Sequence, residues 1–200
     1  MKTESINRTL EGLFLNVDLC TSEDYSRIDT LVVTRTDYDG SLMDVDYNEL
    51  KLFPKLFNLT IDNCMIDNDL INILCELPNL RRLIITNCDV IENISDSFNK
   101  LTLFDIYLCN TNFDVSWLRK DYKNLKFEAV PFKRFTGHCN TLNVYGCEIK
   151  NVDELLNINF DEIIVSDDLY NNNRIKFDEI KKTISLMEKN GQFFSKRGGF

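Results

Sequence analysis

The chain contains 200 residues with a net charge of −9, and 44% of them are hydrophobic, which is the composition of a globular protein with a sizeable core. The acidic balance argues against a surface that holds nucleic acid or anionic lipid. No apolar run approaches the roughly 18 residues of a membrane span. A single alanine, Ala129, disfavours a helical bundle, because alanine is the best helix former.

The N-terminal segment and the cysteines indicate the compartment. Residues 1–8 lack the apolar stretch of a signal peptide, so we expect none. The seven cysteines are odd in number and form no CxxC pair, which favours reduced thiols over disulfides or a zinc site. We therefore expect a cytoplasmic protein without a structural metal.

A repeated spacing of apolar residues runs through residues 10–170 and predicts about eight short strands. The two most regular copies, residues 56–66 and 80–90, read LxxLxLxxCx(I/V) and are offset by 24 residues. Residues 139–149 repeat this frame with a cysteine also in its first position. The less regular copies are residues 10–20, 28–38, 103–113, 122–132 and 160–170.

This frame resembles that of the leucine-rich repeat family, LxxLxLxx(N/C)xL with a period of about 20–29 residues. Three of the seven cysteines, Cys64, Cys88 and Cys147, occupy the fifth slot of the frame. The resemblance implies a single α/β domain over residues 1–200: a leucine-rich repeat solenoid, whose curved parallel sheet carries short helices or turns on its convex side. It also implies that the fifth-slot side chains bond to loop backbone.

Short helices are predicted between the strands. Leu70, Ile71 and Leu74 indicate a helix capped by Asp67 or Asn68 and ended near Pro78. Residues 93–101 and 150–156 are predicted to form further, partly helical returns. Apolar residues three or four apart in residues 176–190 predict an amphipathic C-terminal capping helix. Residues 191–200 then form either a last strand or a mobile tail.

Candidate chemistry is sparse. The only histidine, His138, lies beside Cys139, but Cys139 occupies an inward repeat position, where a thiol is normally inert. The acidic residues Asp37, Asp39, Asp44, Asp46 and Glu49 suggest calcium, yet their spacing is not that of an EF-hand loop. No phosphate-binding glycine motif occurs. We therefore expect no enzymatic activity, no cofactor and no metal.

The outward strand positions would form the concave face, which is typically the binding surface in the resembling family. The predicted partner-binding residues on this face are Arg82, Ile84, Thr86, Asp105, Tyr107, Lys126, Asn143 and Tyr145. We expect Ile84 and Tyr107 to lie side by side, near Arg82. An aliphatic, an aromatic and an arginine side chain together are typical of interface hot spots. Such residues also suit exposed strands in general, so that alternative stays open.

These observations predict a non-enzymatic protein–protein interaction module that binds another protein, and neither nucleic acid nor a membrane. The alternative is an acidic inhibitor or decoy, encoded by a virus or mobile element, that blocks a basic nucleic-acid-binding protein through its negative charge. The two functions differ in their expected sensitivity to salt.

Overall fold

The structure is a computed structural model, and it describes residues 20–35, 45–180, 182–187 and 193–196. Parallel strands alternate with short helices, as an α/β fold requires. The chain divides into two compact units, Met1–Leu103 and Phe104–Phe200. A single domain over residues 1–200 stays a prediction. The predicted repeat at residues 10–20, apart from Cys20, lies outside the described residues. So do Asp37, Asp39 and Asp44 of the acidic residues that suggested calcium.

The first unit contains three parallel strands at the predicted repeat positions. They are β1 Thr30–Thr34, β2 Asn58–Asp62 and β4 Arg82–Thr86, with a small parallel pair of β3 Met65–Ile66 and β5 Asp89–Val90. Leu31 lies opposite Leu59, and Leu59 lies opposite Leu83. All three are buried. The apolar frame therefore sets the strand register, since a slip of one residue would expose every one of these leucines.

Short helices connect the strands of this unit. They are α1 Ser22–Tyr25, a 3₁₀ helix at Tyr47–Leu52, α2 Asn68–Cys75 and α3 Ser95–Phe98. The predicted cap of α2 is confirmed: the Asp67 carboxylate accepts the Leu70 N–H at 2.8 Å. Leu70, Ile71 and Leu74 are buried on one side of α2, as their spacing predicted.

The described residues of the second unit form six strands. They are β6 Asp105–Cys109, β7 Tyr122–Glu128, β8 His138–Gly146, β9 Asn159–Ser166 and β10 Thr183–Met187, which are parallel, and β11 Phe193–Lys196, which is antiparallel to β10. Ile106, Leu125, Leu142 and Ile163 lie opposite one another across β6–β9. These buried residues are the predicted second apolar positions of four successive copies.

The predicted capping helix over residues 176–190 is wrong. The helices here are α5 Asp167–Asn172 and α6 Arg174–Glu179, preceded in this unit by α4 Val152–Leu156 and a 3₁₀ helix at Val115–Trp117. Beyond α6 the chain forms β10, in which Ile184 and Leu186 are buried opposite Ile163 and Val165. The two-residue alternation of these side chains, together with pairing to β9, overrides the helical spacing. At 193–196 the chain forms the last strand that was one alternative for the tail.

Four of the strands end in the same kind of turn. The residue after the strand has a left-handed backbone at Asn63, Asn87, Asn110 and Ala129, with φ between 47° and 52°. Asparagine tolerates this conformation better than other residues with a Cβ atom. The N–H of Asn63 donates to Thr86 O of the following copy at 3.0 Å, and in the second unit Asn110 and Ala129 make the same bond to Glu128 O and Gly146 O.

The repeated cysteines are buried at the turns of the first unit. The Cys88 thiol donates to Thr86 O at 3.0 Å, and the Cys64 thiol donates to Asp62 O at 3.2 Å. All seven cysteines are free thiols. Cys147 differs because β8 gains one residue relative to β7, so that Glu128 lies opposite Gly146 and Cys147 is only half-buried. Among the described residues, no helix is long and apolar enough to cross a membrane.

Candidate functional site

The strand residues that point away from the core form a polar face in each unit, and the predicted concave-face residues all lie on these strands. In the first unit, the predicted residues Arg82, Ile84 and Thr86 alternate with buried Leu83 and Ile85 along β4. Arg82 is exposed, whereas Ile84 and Thr86 are half-buried. Val32 and Thr60 lie in register with Ile84, so this row of the polar face contains two aliphatic side chains with a threonine between them.

A carboxylate joins the strands of the first unit. Asp62 accepts hydrogen bonds from the hydroxyls of Thr34 at 3.3 Å and Thr86 at 2.8 Å, which belong to the two neighbouring strands. The Asn87 amide also donates to it at 2.8 Å. Asp62 was not among the predicted site residues. Its role here is to orient the polar side chains of β1 and β4.

The polar face of the second unit contains a compact cluster of three side chains on β6 and β7. The Tyr107 hydroxyl donates to Oε2 of Glu128 at 2.7 Å. The Lys126 ammonium lies 3.3 Å from the same oxygen and 4.0 Å from the centroid of the Tyr107 ring. The cluster therefore joins two predicted residues, Tyr107 and Lys126, through Glu128, which was not among them.

Gly146 makes room for this cluster. A Cβ atom on Gly146 would lie 2.6 Å from Cγ of Glu128, closer than real side chains approach. The glycine is thus required by the close approach of Glu128 from the neighbouring strand. The extra residue in β8 brings Gly146 opposite Glu128. Glu128 was not predicted because its hydrogen bond to Tyr107 is diagonal: Tyr107 lies opposite Lys126, two residues before Glu128 on β7.

The electrostatics of the cluster follow from its contacts. The hydrogen bond from Tyr107, and then the Lys126 ammonium, hold the pKa of the Glu128 carboxyl below its usual value. Burial is the largest cause that raises the pKa of Tyr107, followed by its hydrogen bond to Glu128 and the adjacent Cys109 thiol. At physiological pH Glu128 is consequently a carboxylate and Tyr107 a neutral phenol.

Two further carboxylates on this face are oriented by the next strand. The predicted residue Asp105 accepts the Asn124 amide at 2.7 Å, and Glu162 accepts the Ser185 hydroxyl at 2.5 Å. Of the remaining predicted residues, Tyr145 is half-buried, whereas only 9% of Asn143 is exposed. The Asn143 side-chain oxygen accepts the Tyr145 N–H at 3.0 Å, so it supports the local backbone of β8.

Ile84 belongs to the first unit and Tyr107 to the second. Their expected placement side by side therefore stays a prediction. The structure brings together Tyr107 with Lys126, and Asn143 with Tyr145. It leaves Arg82, Ile84 and Thr86 as neighbours along one strand.

Cys139 and His138, the neighbouring cysteine and histidine of the sequence, both lie on β8. Cys139 is fully buried, and burial raises its pKa to about 12, so its thiol is protonated at physiological pH. The ring of His138 lies 3.4 Å from the Asp161 carboxylate. Among the residues that the structure describes, no three His, Cys, Asp or Glu side chains are placed to hold a metal ion.

A pocket of about 350 Å³ lies in the first unit, lined by Arg35, Val45, Tyr47, Met65 and Asp67. Its polar walls already have structural roles. Asp67 caps α2, and Tyr47, whose pKa burial raises, has a hydrogen bond with the Cys64 thiol. The sequence did not predict this pocket, because the segment between β1 and β2, which contributes Val45 and Tyr47, has no recognisable binding motif.

Neither protein-family models nor curated protein sequences give a match to this chain. The site is therefore argued from its own geometry. Its most organised part is the cluster of Tyr107, Lys126 and Glu128 on the polar face of the second unit.

Proposed function

We propose that this chain is a leucine-rich repeat protein without catalytic activity, which binds a partner protein through the polar face of its parallel strands. The repeat assignment is supported by the register of Leu59 with Leu83 and of Leu125 with Leu142, which follows the apolar frame. The two buried fifth-slot thiols, Cys64 and Cys88, and the recurring left-handed turns agree with a stacked repeat.

One observation carries the binding proposal. The Tyr107 hydroxyl holds the Glu128 carboxylate through a 2.7 Å hydrogen bond although 43% of the Glu128 side chain is exposed. Side chains that are fixed before binding lose less conformational entropy when a partner docks. Tyrosine with a neighbouring charged residue is also the composition that binding hot spots favour.

The test begins with a partner that is purified by affinity capture on this protein and then titrated against variants. Tyr107→Ala and Ile84→Asp should each weaken its binding at least tenfold, the size of a hot-spot loss. Ile175→Asp is the matched control, because Ile175 is 77% exposed and lies on α6, away from the strands. The proposal is wrong if the control weakens binding as much as the two face variants.

The acidic decoy makes a different prediction. Its affinity for a basic partner would fall steeply with added salt, and DNA or RNA would displace it. Binding through the Tyr107 cluster should instead lose much less affinity at raised salt than the decoy does, because few charges take part and the contacts of the Tyr107 ring are not screened. A titration at low and high salt in the presence of DNA separates the two functions.

A further inference from the structure

The chemistry of the partner can be inferred from the group that already occupies the Tyr107 cluster. The Lys126 ammonium contacts the face of the Tyr107 ring and the Glu128 carboxylate at the same time. A ring face and a carboxylate both attract organic cations in proteins. The cluster is thus a cation site filled by a residue of its own chain.

We propose that Tyr107 and Glu128 bind an arginine or lysine side chain of the partner protein, and that Lys126 occupies this site until the partner displaces it. The inference rests on the proposed function and specifies the partner as one that presents a basic segment. The site lies wholly within the second unit, on β6 and β7.

The displacement of Lys126 is a small energetic step. Both partners of its ion pair are more than two-fifths exposed, and such pairs contribute little to stability in water. An incoming arginine would gain more than the lysine loses, because its planar guanidinium stacks on an aromatic ring and bonds a carboxylate through two N–H groups. The Tyr107 hydroxyl keeps Glu128 in place during the exchange.

The charge around the site favours the same partner. At the polar-face positions of β6–β10, three carboxylates, those of Asp105, Glu128 and Glu162, accompany one ammonium, that of Lys126. Asn124 and Ser185 orient two of these carboxylates from neighbouring strands. Asp105 and Glu162 lie in one row across β6–β9, and Glu128 lies four residues further along β7, so a basic segment on this face would be attracted, whereas an acidic segment would be repelled.

The test uses a tetra-arginine peptide as the probe and calorimetric titration of three variants of the full chain. Lys126→Met should tighten peptide binding about threefold, because the competing ammonium is removed. Glu128→Gln should weaken binding about tenfold, because a charge-assisted hydrogen bond is lost. Lys176→Met is the matched control: Lys176 pairs with Asp153 between α6 and α4, and its loss changes the net charge equally. The control should leave peptide affinity unchanged.

A second measurement does not depend on variants. The ε-methylene protons of Lys126 lie near the Tyr107 ring and should show an upfield ring-current shift in the free protein. Tetra-arginine should move this signal to the position of a solvated lysine.

The inference is overturned if Lys126→Met and Lys176→Met tighten binding equally, or if the peptide leaves the Lys126 signal in place. Should the captured partner still require Tyr107 and Ile84 in that case, the proposed function stands and only the cation site fails. If neither Tyr107→Ala nor Ile84→Asp weakens binding of the captured partner, the proposed function itself fails.

Discussion

The backbone N–H of Cys64 points at the sulfur of Cys88, 3.4 Å away and 24 residues later in the chain. The Cys88 thiol in turn faces Thr86 O at 3.0 Å and Ile61 O at 3.5 Å. The buried Cys88 thiol therefore makes hydrogen bonds with backbone groups of two successive copies. This explains why cysteine, a rare residue, recurs at this slot: it combines apolar bulk with weak hydrogen bonding.

Replacing Cys88 with alanine should lower the free energy of unfolding by about 1–3 kcal/mol, because the Cys64 N–H loses its buried acceptor. Cys75→Ala is the control, since Cys75 is exposed on α2, and its effect should stay within about 0.5 kcal/mol. Urea denaturation of the two variants provides the comparison. Equal losses would show that the buried thiol has no special role.

The buried thiols should also make stability fall at alkaline pH. Burial raises the pKa of Cys88 and of Cys139 to about 12, from 9.0. Between these values the folded chain keeps protons that the unfolded chain releases, so the free energy of unfolding decreases as pH rises from 9 towards 12. Urea titrations at several pH values should show this decline. Cys139→Ala should make it shallower, and an unchanged slope would contradict the assignment.

Ala129 occupies a left-handed turn position that asparagine fills in three other copies, with φ of 49°. A Cβ atom is unfavourable in this conformation, so Ala129→Gly should raise the free energy of unfolding by about 0.5–1 kcal/mol. Ala129→Val should lower it, because a β-branched side chain fits there even less well. Thermal unfolding of both variants tests the sign. Stabilisation by valine would refute the turn geometry.

Gly146→Ala should disrupt the Tyr107 cluster without any change to its three residues. The new Cβ atom would meet Cγ of Glu128 at 2.6 Å and force the side chain to rotate. Because Glu128 then leaves the Tyr107 hydroxyl, the pKa of Tyr107 should fall towards its ordinary value. Spectrophotometric titration of tyrosine ionisation would detect this change, with Tyr107→Phe as the reference that lacks this hydroxyl. An unaltered titration would mean that the cluster tolerates a Cβ atom.

The sequence predicts the strands well because each of them depends on a local pattern. Alternating apolar residues around Leu59 and Leu83 determine both the strands and their register. The helix cap at Asp67 was predictable for the same reason, since its partners are three residues away. The helix expected over residues 176–190 was wrong because pairing of Ile184 with Ile163 on the neighbouring strand outweighs the local spacing.

The site was predictable in part. Alternation along the strands places Tyr107 and Lys126 on the polar face, and both were in the predicted set. Glu128 was not, because its hydrogen bond to Tyr107 runs diagonally between β6 and β7, and local periodicity does not predict diagonal contacts. Local periodicity predicts the side chains that share a face of the sheet. The contacts among those side chains depend on the register between strands.

The most direct test of the binding surface is to find where the partner touches this chain. A photoreactive benzoylphenylalanine in place of Ile164, on the polar face of β9, is compared with the same residue in place of Glu154, which is exposed on α4. Crosslinking is read by mass spectrometry in the complex with the captured partner. We predict that the partner is crosslinked from position 164 and not from position 154. Crosslinking from position 154 alone would contradict binding through the strand face.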